Sequence, residues 1–302
     1  MAQTIVKEKA QNNHFVEEWA GKIYTGICVL ILVVTIVAMV YFVASKGLGT
    51  FFKDHVNVIK LITGLKWAPE AEVPSFGAFP FIFGSFSTSI LAAVIAAPLS
   101  FCASLFMIEI TPRLGRKYLQ PVIELLAGIP SVVYGFVGLT IIVPFFRDIF
   151  PGQGVGIAAG ALVLSIMILP TMTTVATDAL ASLPAGLKEG SYALGATRWQ
   201  TIYRVVLPTT LPALMTGVVL GIARAFGEAL AVQMVIGNAP FVPHSLFESA
   251  STLTSAITLS MGNTVTGSPH NNALWSLALI LMLMTFVFVF IVRLLERGSK
   301  LR

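Results

Sequence analysis

The sequence predicts an all-α, polytopic membrane protein with six transmembrane helices and both termini on one side. Hydrophobic residues make up 56% of the chain and charged residues only 11%, whereas a soluble domain carries about a quarter charged residues. Six apolar runs reach the roughly 20 residues that one bilayer crossing requires. The predicted spans are residues 23–45, 79–108, 121–146, 154–175, 211–236 and 273–295.

The distribution of basic residues predicts which side is cytoplasmic. Thirteen of the 19 Lys and Arg residues fall in tails and loops on the side of the termini, five fall on the other side, and Arg224 lies inside the fifth span. Lys and Arg accumulate on the cytoplasmic side of membrane proteins. Both termini are therefore expected to be cytoplasmic, although the first outer loop opposes the trend with four lysines, Lys46, Lys53, Lys60 and Lys66.

These spans divide the chain into a cytoplasmic tail (1–22), a first helix (23–45), an extracytoplasmic loop (46–78) and a five-helix core (79–302). The first apolar run is too long for the core of a cleaved signal and no small-residue cleavage site follows it. It is therefore expected to remain as a membrane anchor.

Composition and motifs argue against several other classes of protein. The net charge of +5 is explained by bases at the inner membrane face, so no nucleic-acid partner is expected. Cys28 and Cys102 lie inside spans and the four histidines are scattered, which predicts no metal site and no disulfide framework. No phosphate-binding P-loop motif occurs, so ATP, if used, must be bound by another chain.

One segment within the core, residues 182–208, is unusually polar and includes EGSYALGATRWQTIYRVVLP. Ser182, with a proline two residues on, predicts a helix start, and Gly195 predicts its end. Thr197, with a glutamine three residues on, predicts a capping box and a second helix running toward Pro208. The expected product is a helix-turn-helix on the cytoplasmic membrane surface.

This helix-turn-helix is expected to have an apolar side, formed by Tyr192, Leu194, Trp199, Ile202 and Tyr203. An apolar side suits docking into a cleft on a partner protein. It equally suits an interfacial helix that rests on lipid.

The same segment resembles the cytoplasmic signature of ATP-binding-cassette importer permeases: E-A-A, three residues, G, nine residues, then I-x-L-P. Glu189 stands at the acid and Gly195 at the glycine, with the spacing intact. The resemblance implies that this segment couples the permease to an ATPase. The coupling residues it indicates are Glu189, Gly190, Ser191, Gly195, Thr197, Val205, Leu207 and Pro208.

Further stretches resemble the permeases of the phosphate importer, and in particular its C-type permease. They are ELLAGIPSVVYGFVGL (124–139), DALASLP (178–184), ALGATRW (193–199) and RAFGEALAVQMVIGN (224–238). The resemblance implies the type I importer permease fold, a bacterial-type cell membrane location and alternating access. It also implies four kinds of partner: a second homologous permease, two ATPase subunits that hold ATP-Mg, an extracytoplasmic phosphate-binding protein and the lipid membrane. The chain itself is expected to bind no cofactor and to catalyse no covalent step.

Charged residues inside the spans are candidates for the translocation path. Arg224 and Glu228 stand four residues apart, which predicts one helix face, and each charge costs about 2.5–3.5 kcal/mol at the centre of a membrane helix. The pair either offers a guanidinium to passing phosphate, with Glu228 holding it and gating the path, or only fixes helix packing. Glu124 and Gln233 are further path candidates, while Asn238 is expected to cap the span end.

Three other functions remain open at the level of sequence. The permease could carry another oxyanion, such as sulfate, molybdate or phosphonate. An ion-coupled secondary carrier would use Arg224 and Glu228 as its couple, but it leaves the Glu189–Pro208 pattern without a purpose. A scaffold or sensor would keep the cytoplasmic segment and make the intramembrane charges expendable.

Overall fold

The computed structural model describes residues 2–299 except 53, 55 and 72, and the side chains of residues 2–18, 20 and 292–299 are not described. Several of the basic residues counted above therefore lie outside the described side chains. They are Lys7, Lys9, Lys53, Arg293, Arg297, Lys300 and Arg302.

Helices dominate the described part of the chain. They are α1 (Ala2–Gly47), α2 (Gly49–Phe52), α3 (Val58–Thr63), α4 (Phe79–Leu105), α5 (Pro112–Leu114), α6 (Gln120–Gly128), α7 (Ser131–Val137), α8 (Val143–Ile149), α9 (Ile157–Ala181), α10 (Ala185–Ala193), α11 (Arg198–Thr201), α12 (Leu207–Gly227), α13 (Leu230–Val235), α14 (Leu253–Ser260) and α15 (Pro269–Ser299). Wide π-helical turns at Phe106–Ile110, Gly115–Leu119, Gly138–Ile142 and Ile202–Val206, and a 3₁₀ turn at Met261–Asn263, join some of them. Strands β1 (Trp67–Ala68) and β2 (Ser75–Phe76) form an antiparallel hairpin in the first outer loop.

The prediction of six membrane-spanning helices is confirmed. The helices long and apolar enough to cross a membrane are Gly21–Phe52, Phe79–Ile110, Ser131–Ile149, Ile157–Ala181, Arg198–Gly227 and Pro269–Ile291. An even number of spans places the two ends of the chain on the same side. We call the side that carries residues 182–208 the knob face, and the side that carries the β1–β2 hairpin the hairpin face.

The third span differs from its prediction as one continuous helix over residues 121–146. Helix α6 ends at Gly128, and Ile129 and Pro130 take extended conformations before α7 begins at Ser131. Pro130 lacks a backbone N–H and restricts the residue before it to extended conformations. The break therefore follows from the proline, and the crossing helix begins only after it.

The fifth span was predicted at residues 211–236, and both bounds are wrong. The helix that begins at Arg198 passes through a π-helical turn and through Pro208 without interruption. Pro208 occupies one of the first two positions of α12, directly after the wide turn, where its missing N–H is tolerated. At the other end the helix stops at Gly227, and the short α13 begins at Leu230.

The core lies where α4, α9 and α12 meet. In α9, 67% of the most apolar stretch is buried, as expected for a helix that is hydrophobic on all sides. Small residues such as Ala92 and Ala96 of α4 and Ala161 of α9 let these helices approach closely around Ile168 and Met172. Helix α9 is therefore the central support for the charged residues described below.

The first span stands apart from this core, since none of its most apolar stretch is buried. It packs on α15 near the hairpin face, where the rings of Phe42 and Trp275 meet edge to face at 5.3 Å. Ser276 Oγ donates a hydrogen bond of 2.7 Å to the Gly47 carbonyl. This arrangement agrees with the anchor expected from the sequence.

Helix α4 is locked to the loop before α14 by a close backbone approach at Gly84. A β-carbon at this position would lie 2.1 Å from the Ser251 carbonyl oxygen, so only glycine is accommodated. At the next residue, Ser85 Oγ accepts a hydrogen bond of 2.9 Å from the Leu253 N–H. The two contacts hold the start of α14 against the second span.

We expect Gly84→Ala to destabilise the protein by about 1–3 kcal/mol, because the added methyl group overpacks this contact. Thermal unfolding in detergent, followed by intrinsic fluorescence, should show a melting temperature lower by several degrees. Gly26→Ala is the matched control, since nothing lies within 4 Å of a β-carbon there. Equal melting temperatures for the two variants would contradict the close approach.

Candidate functional site

The polar segment folds as a helix-turn-helix, and we call residues 185–203 the knob. Helix α10 ends in a Schellman turn: the Ala196 N–H donates to the Ser191 carbonyl at 3.2 Å and the Gly195 N–H to the Tyr192 carbonyl at 2.9 Å. Gly195 has φ +80°, a left-handed conformation that glycine adopts without strain. The helix end predicted at Gly195 is confirmed.

The second helix of the knob starts with the predicted capping box. Gln200 N–H donates to Thr197 Oγ1 at 3.3 Å, and Thr197 N–H donates to Gln200 Oε1 at 2.9 Å. The predicted start of the first helix was wrong in detail, because Ser182 instead ends α9, with its hydroxyl bonded to the Ala179 carbonyl. Pro184 immediately precedes α10, at the N-cap position of that helix.

The coupling residues fall on two surfaces of this unit. Glu189 and Gly190 are exposed on α10, and Ser191 is half-buried where its Oγ lies 3.0 Å from Thr201 Oγ1. Val205 and Leu207 are half-buried along the continuous fifth span, and Pro208 is exposed. The motif therefore describes the knob together with the first turns of the helix that enters the membrane.

Large apolar side chains are exposed on the knob. Leu194 at its tip is 90% exposed, and Trp199 and Tyr203 are each about two-thirds exposed, at 68% and 65%. Ile202, expected on the same side, is buried at 4% exposure and packs inward. A contiguous exposed apolar patch typically marks an interaction surface.

Two contacts that the sequence analysis missed fasten the knob to the second span. Lys188 Nζ forms an ion pair with Glu109 Oε1, and Arg198 Nη2 donates a hydrogen bond of 2.9 Å to the Ile110 carbonyl. Removing one partner of a buried ion pair typically costs about 3–5 kcal/mol. The sequence offered one signal for the ion pair: Glu109 is a single acid at the end of an apolar run, where a carboxylate needs a partner.

Arg224 lies in the fifth span, opposite the middle of α9. Helices α9 and α12 run antiparallel, with Met172 against Gly221, and Arg224 Nη1 donates a hydrogen bond of 2.8 Å to Thr171 Oγ1. Thr171 precedes the end of α9 at Ala181 by ten residues, or about 15 Å of helix. The Arg224 side chain is exposed on this chain, so most of its five N–H donors remain available.

The predicted pairing of Arg224 with Glu228 is wrong, because the helix ends between them. Glu228 is extended, with ψ 125°, and its Oε1 accepts a hydrogen bond of 3.1 Å from the Ala231 N–H. Its backbone carbonyl accepts a bond of 2.8 Å from Thr254 Oγ1. A carboxylate that binds nearby backbone N–H groups competes with helix continuation. Glu228 therefore caps the start of α13, and no ion pair joins it to Arg224 in the described structure.

Gln233 and Asn238 both lie beyond this break, toward the hairpin face. Gln233 Oε1 accepts a hydrogen bond of 2.7 Å from Thr258 Oγ1 of α14. Asn238, with φ +58°, donates from Nδ2 to the Gln233 carbonyl at 2.8 Å. The predicted capping role of Asn238 is confirmed, and Gln233 connects α13 with α14.

Glu124 lies on α6, before the break in the third span. Its Oε1 accepts a hydrogen bond of 2.9 Å from Gln120 Nε2. The side chain lines a cavity of about 470 Å³ between α6 and α9, together with Arg116 and Asp178. No described hydrogen bond or ion pair joins Glu124 to Arg224, so these two path candidates belong to separate polar groups.

The two interrupted spans contact each other beyond their breaks. A β-carbon on Gly135 of α7 would lie 2.9 Å from the Ala231 Cα of α13. Helix breaks in a membrane are tolerated where the freed backbone groups are buried in protein or line a wet cavity. The arrangement can hold an anion at the exposed Arg224 side chain by charge-assisted hydrogen bonds.

Comparisons with known proteins agree with this geometry. A family model described as the binding-protein-dependent transport system inner membrane component matches residues 103–300. The chain is 53% identical over 294 residues to the probable ABC transporter permease protein YqgH of Bacillus subtilis strain 168, which covers 97% of this chain and 95% of that protein. It is 39% identical over 249 residues to the phosphate transport system permease protein PstC of Pasteurella multocida strain Pm70, covering 76% and 77% of the two chains.

Solved structures share the fold. A chain of the bacterial alginate ABC transporter, crystallised with an alginate-bound periplasmic protein, matches with a TM-score of 0.61 at 17% identity, covering 90% of this chain and 94% of that one. A chain of the inward-facing MetNI methionine ABC transporter matches with a TM-score of 0.52 at 23% identity, covering 72% and 94%. The expected importer permease fold is thereby confirmed.

Two glycine substitutions in the knob are expected to change the stability of α10 in opposite directions. Gly195→Ala places a β-carbon in the left-handed region at a cost of about 1–2 kcal/mol, whereas Gly190→Ala, inside α10, gains about 1 kcal/mol of helix propensity. Neither β-carbon would meet an atom within 4 Å, so packing does not contribute. Amide hydrogen exchange over residues 185–201 should accelerate about 5- to 30-fold in the first variant and slow in the second. Similar exchange in both would contradict the observed turn.

Proposed function

Because the chain belongs to the family of binding-protein-dependent transport system inner membrane components and is a permease subunit of an ATP-binding-cassette importer, we propose that its cargo is phosphate. Relatives named as phosphate permeases support the proposal at 31–39% identity. The observation that carries it is Arg224, a guanidinium within the membrane-spanning fifth helix whose side chain is exposed on this chain. Guanidinium groups bind phosphate oxygens in a bidentate manner.

Arg224 is suited to transient contact with phosphate. Thr171 accepts one of its hydrogen bonds and fixes its orientation from α9. Because Glu228 turns away to cap α13, no described carboxylate neutralises the guanidinium. The positive charge therefore remains free to attract an anion, and this attraction is stronger between low-dielectric protein walls than in bulk water.

The same geometry weakens the ion-coupled carrier considered from the sequence. That carrier needs Arg224 and Glu228 as an interacting couple, and the helix break at Gly227 separates their roles. Phosphate import driven by ATP therefore has better support than import driven by an ion gradient. Glu124, Glu228 and Gln233 remain proposed members of the path, with Glu228 and Gln233 acting through the stability of the break.

The knob is the proposed contact with the ATPase subunits, which hold ATP-Mg. Its exposed apolar residues Leu194, Trp199 and Tyr203 suit insertion into a cleft on one ATPase subunit better than rest on lipid, because they lie within a motif that resembles the coupling signature. The coupling residues Glu189 and Gly190 are exposed on the same unit. The knob face is then cytoplasmic, in agreement with the excess of Lys and Arg on that side.

The remaining partners follow from this orientation in a bacterial-type cell membrane. A second homologous permease would cover the face that exposes Arg224 and complete the path. An extracytoplasmic phosphate-binding protein would deliver phosphate at the hairpin face. ATP-driven closure of the ATPases would move the knobs and switch the cavity between inward-open and outward-open states.

ATP-dependent uptake of labelled phosphate by the complete complex in proteoliposomes tests this proposal. Arg224→Gln should reduce uptake about 10- to 100-fold, because a charge-assisted hydrogen bond contributes about 1.5–3 kcal/mol. Arg147→Gln is the matched control, since Arg147 is an exposed arginine near the hairpin face.

Phosphate uptake by the wild type, lost in Arg224→Gln and kept in Arg147→Gln, is the expected result. Full uptake by Arg224→Gln would reject its contact with the anion. Uptake of sulfate or molybdate in place of phosphate by the wild type would reject the proposed cargo.

A further inference from the structure

The contact between the knob and the second span suggests how movement reaches the membrane domain. We propose that the Lys188–Glu109 ion pair is a mechanical latch that makes α10 and the second span move as one body. The inference rests on the proposed function, because it assigns the route by which ATP-driven motion of the knob enters the transport path. Lys188 and Glu109 are positioning residues and touch neither ATP nor phosphate.

The first support is the burial of the pair. The side chain of Glu109 is 8% exposed and that of Lys188 is 24% exposed. Glu109 is the one charged residue in the buried class among the residues that the structure describes. An ion pair shielded from water resists screening by salt, so its geometry is held more firmly than that of a surface pair.

The second support is that the ion pair is the described polar side-chain contact between α10 and the second span. The helix has no buried residue, and β-carbons added at Gly186 or Gly190 would meet nothing within 4 Å. Apart from its chain connections, its described polar side-chain contacts are the Ser191–Thr201 hydroxyl contact within the knob and the ion pair. Helix α10 also packs on α11 and on the π-helical turn that follows α11 in the fifth span, so load on α10 reaches the fifth span there and the second span at Lys188.

The third support is that the second helix of the knob is fastened at the adjacent position. Arg198 Nη2 donates to the carbonyl of Ile110, the residue after Glu109. Both helices of the knob thus attach to consecutive residues at the end of the second span. Two attachments at one place transmit rotation as well as translation, whereas a single pair would act as a pivot.

The attachment site is itself a π-helical turn, Phe106–Ile110, in which the Thr111 N–H donates to the Phe106 carbonyl at 3.0 Å. A second π-helical turn packs on it, since a β-carbon on Gly115 would lie 2.5 Å from the Met107 Cα. Wide turns of this kind often occur at functional sites in helices. A change at the latch is therefore transmitted into α4, which forms the core with α9 and α12.

The distance between α10 and the second span, measured in the complete complex, tests the latch. Spin labels would be placed at the native Cys102 of α4 and at Ala185→Cys of α10, with Cys28→Ser removing the other cysteine; Cys102 and Ala185 are both exposed. The distance is recorded by pulsed electron resonance in the nucleotide-free and vanadate-trapped states. This readout needs no transported substrate, so it separates the latch from the choice of cargo.

The latch predicts the same distance in both states for the wild-type pair. Lys188→Met with Glu109→Gln, which removes both charges and leaves no buried charge unpaired, should make the distance differ between states. The exchange Lys188→Glu with Glu109→Lys should make the distance the same in both states again. Lys117→Met, at an exposed lysine on the neighbouring turn, is the control, and its distance should be the same in both states, as in the wild type.

Transport on the same preparations gives the functional consequence. The double neutral variant should import at least about fivefold less phosphate per ATP hydrolysed, while ATP hydrolysis and assembly persist, and the charge exchange should recover most of the loss. A distance that already changes in the wild type, or that stays constant in the double neutral variant, would overturn the latch. If the distances behave as predicted but the wild type imports no phosphate, the latch stands and the proposed cargo fails.

Discussion

The guanidinium of Arg224 within the membrane-spanning fifth helix is the constraint on which the rest of the structure depends. A charge in hydrocarbon needs hydrogen-bond partners or water, and this chain supplies one described partner, the Thr171 hydroxyl. The exposed remainder of the side chain must face protein or water. This exposure is the reason for the proposal that a second permease covers Arg224 and completes the transport path.

One continuous helix joins that charge to the knob. The fifth span runs from Arg198, at the knob, to Gly227, and Arg224 lies 26 residues, or about 39 Å, from its start. Its packing on α9 and the polar contacts of Glu228 with α13 and α14 hold the far end. In the proposed mechanism, displacement of the knob reaches Arg224 along this helix or through the second span.

Local features of the fold could be predicted from the sequence, whereas features set by tertiary contacts could not. The turn at Gly195 and the capping box at Thr197 depend on residues within one or two turns of chain, and both are present. The helix through Pro208 and the break at Gly227 were missed, because periodicity and hydropathy do not change at either point. The Lys188–Glu109 pair joins residues 79 positions apart, a separation at which sequence gives no pairing signal. Arg224 itself was identified correctly as a charge within the membrane, while its partner was not.

Chemical accessibility of position 224 tests the central claim most directly. In a background with Cys28→Ser and Cys102→Ser, Arg224→Cys in the complete complex is exposed to a membrane-impermeant anionic thiol reagent, with Val37→Cys of the lipid-exposed first span as the comparison. A position in a wet path should react at least about tenfold faster than one in lipid. Equal, slow reaction at both positions would show that Arg224 is sealed from water and would contradict its role in the path.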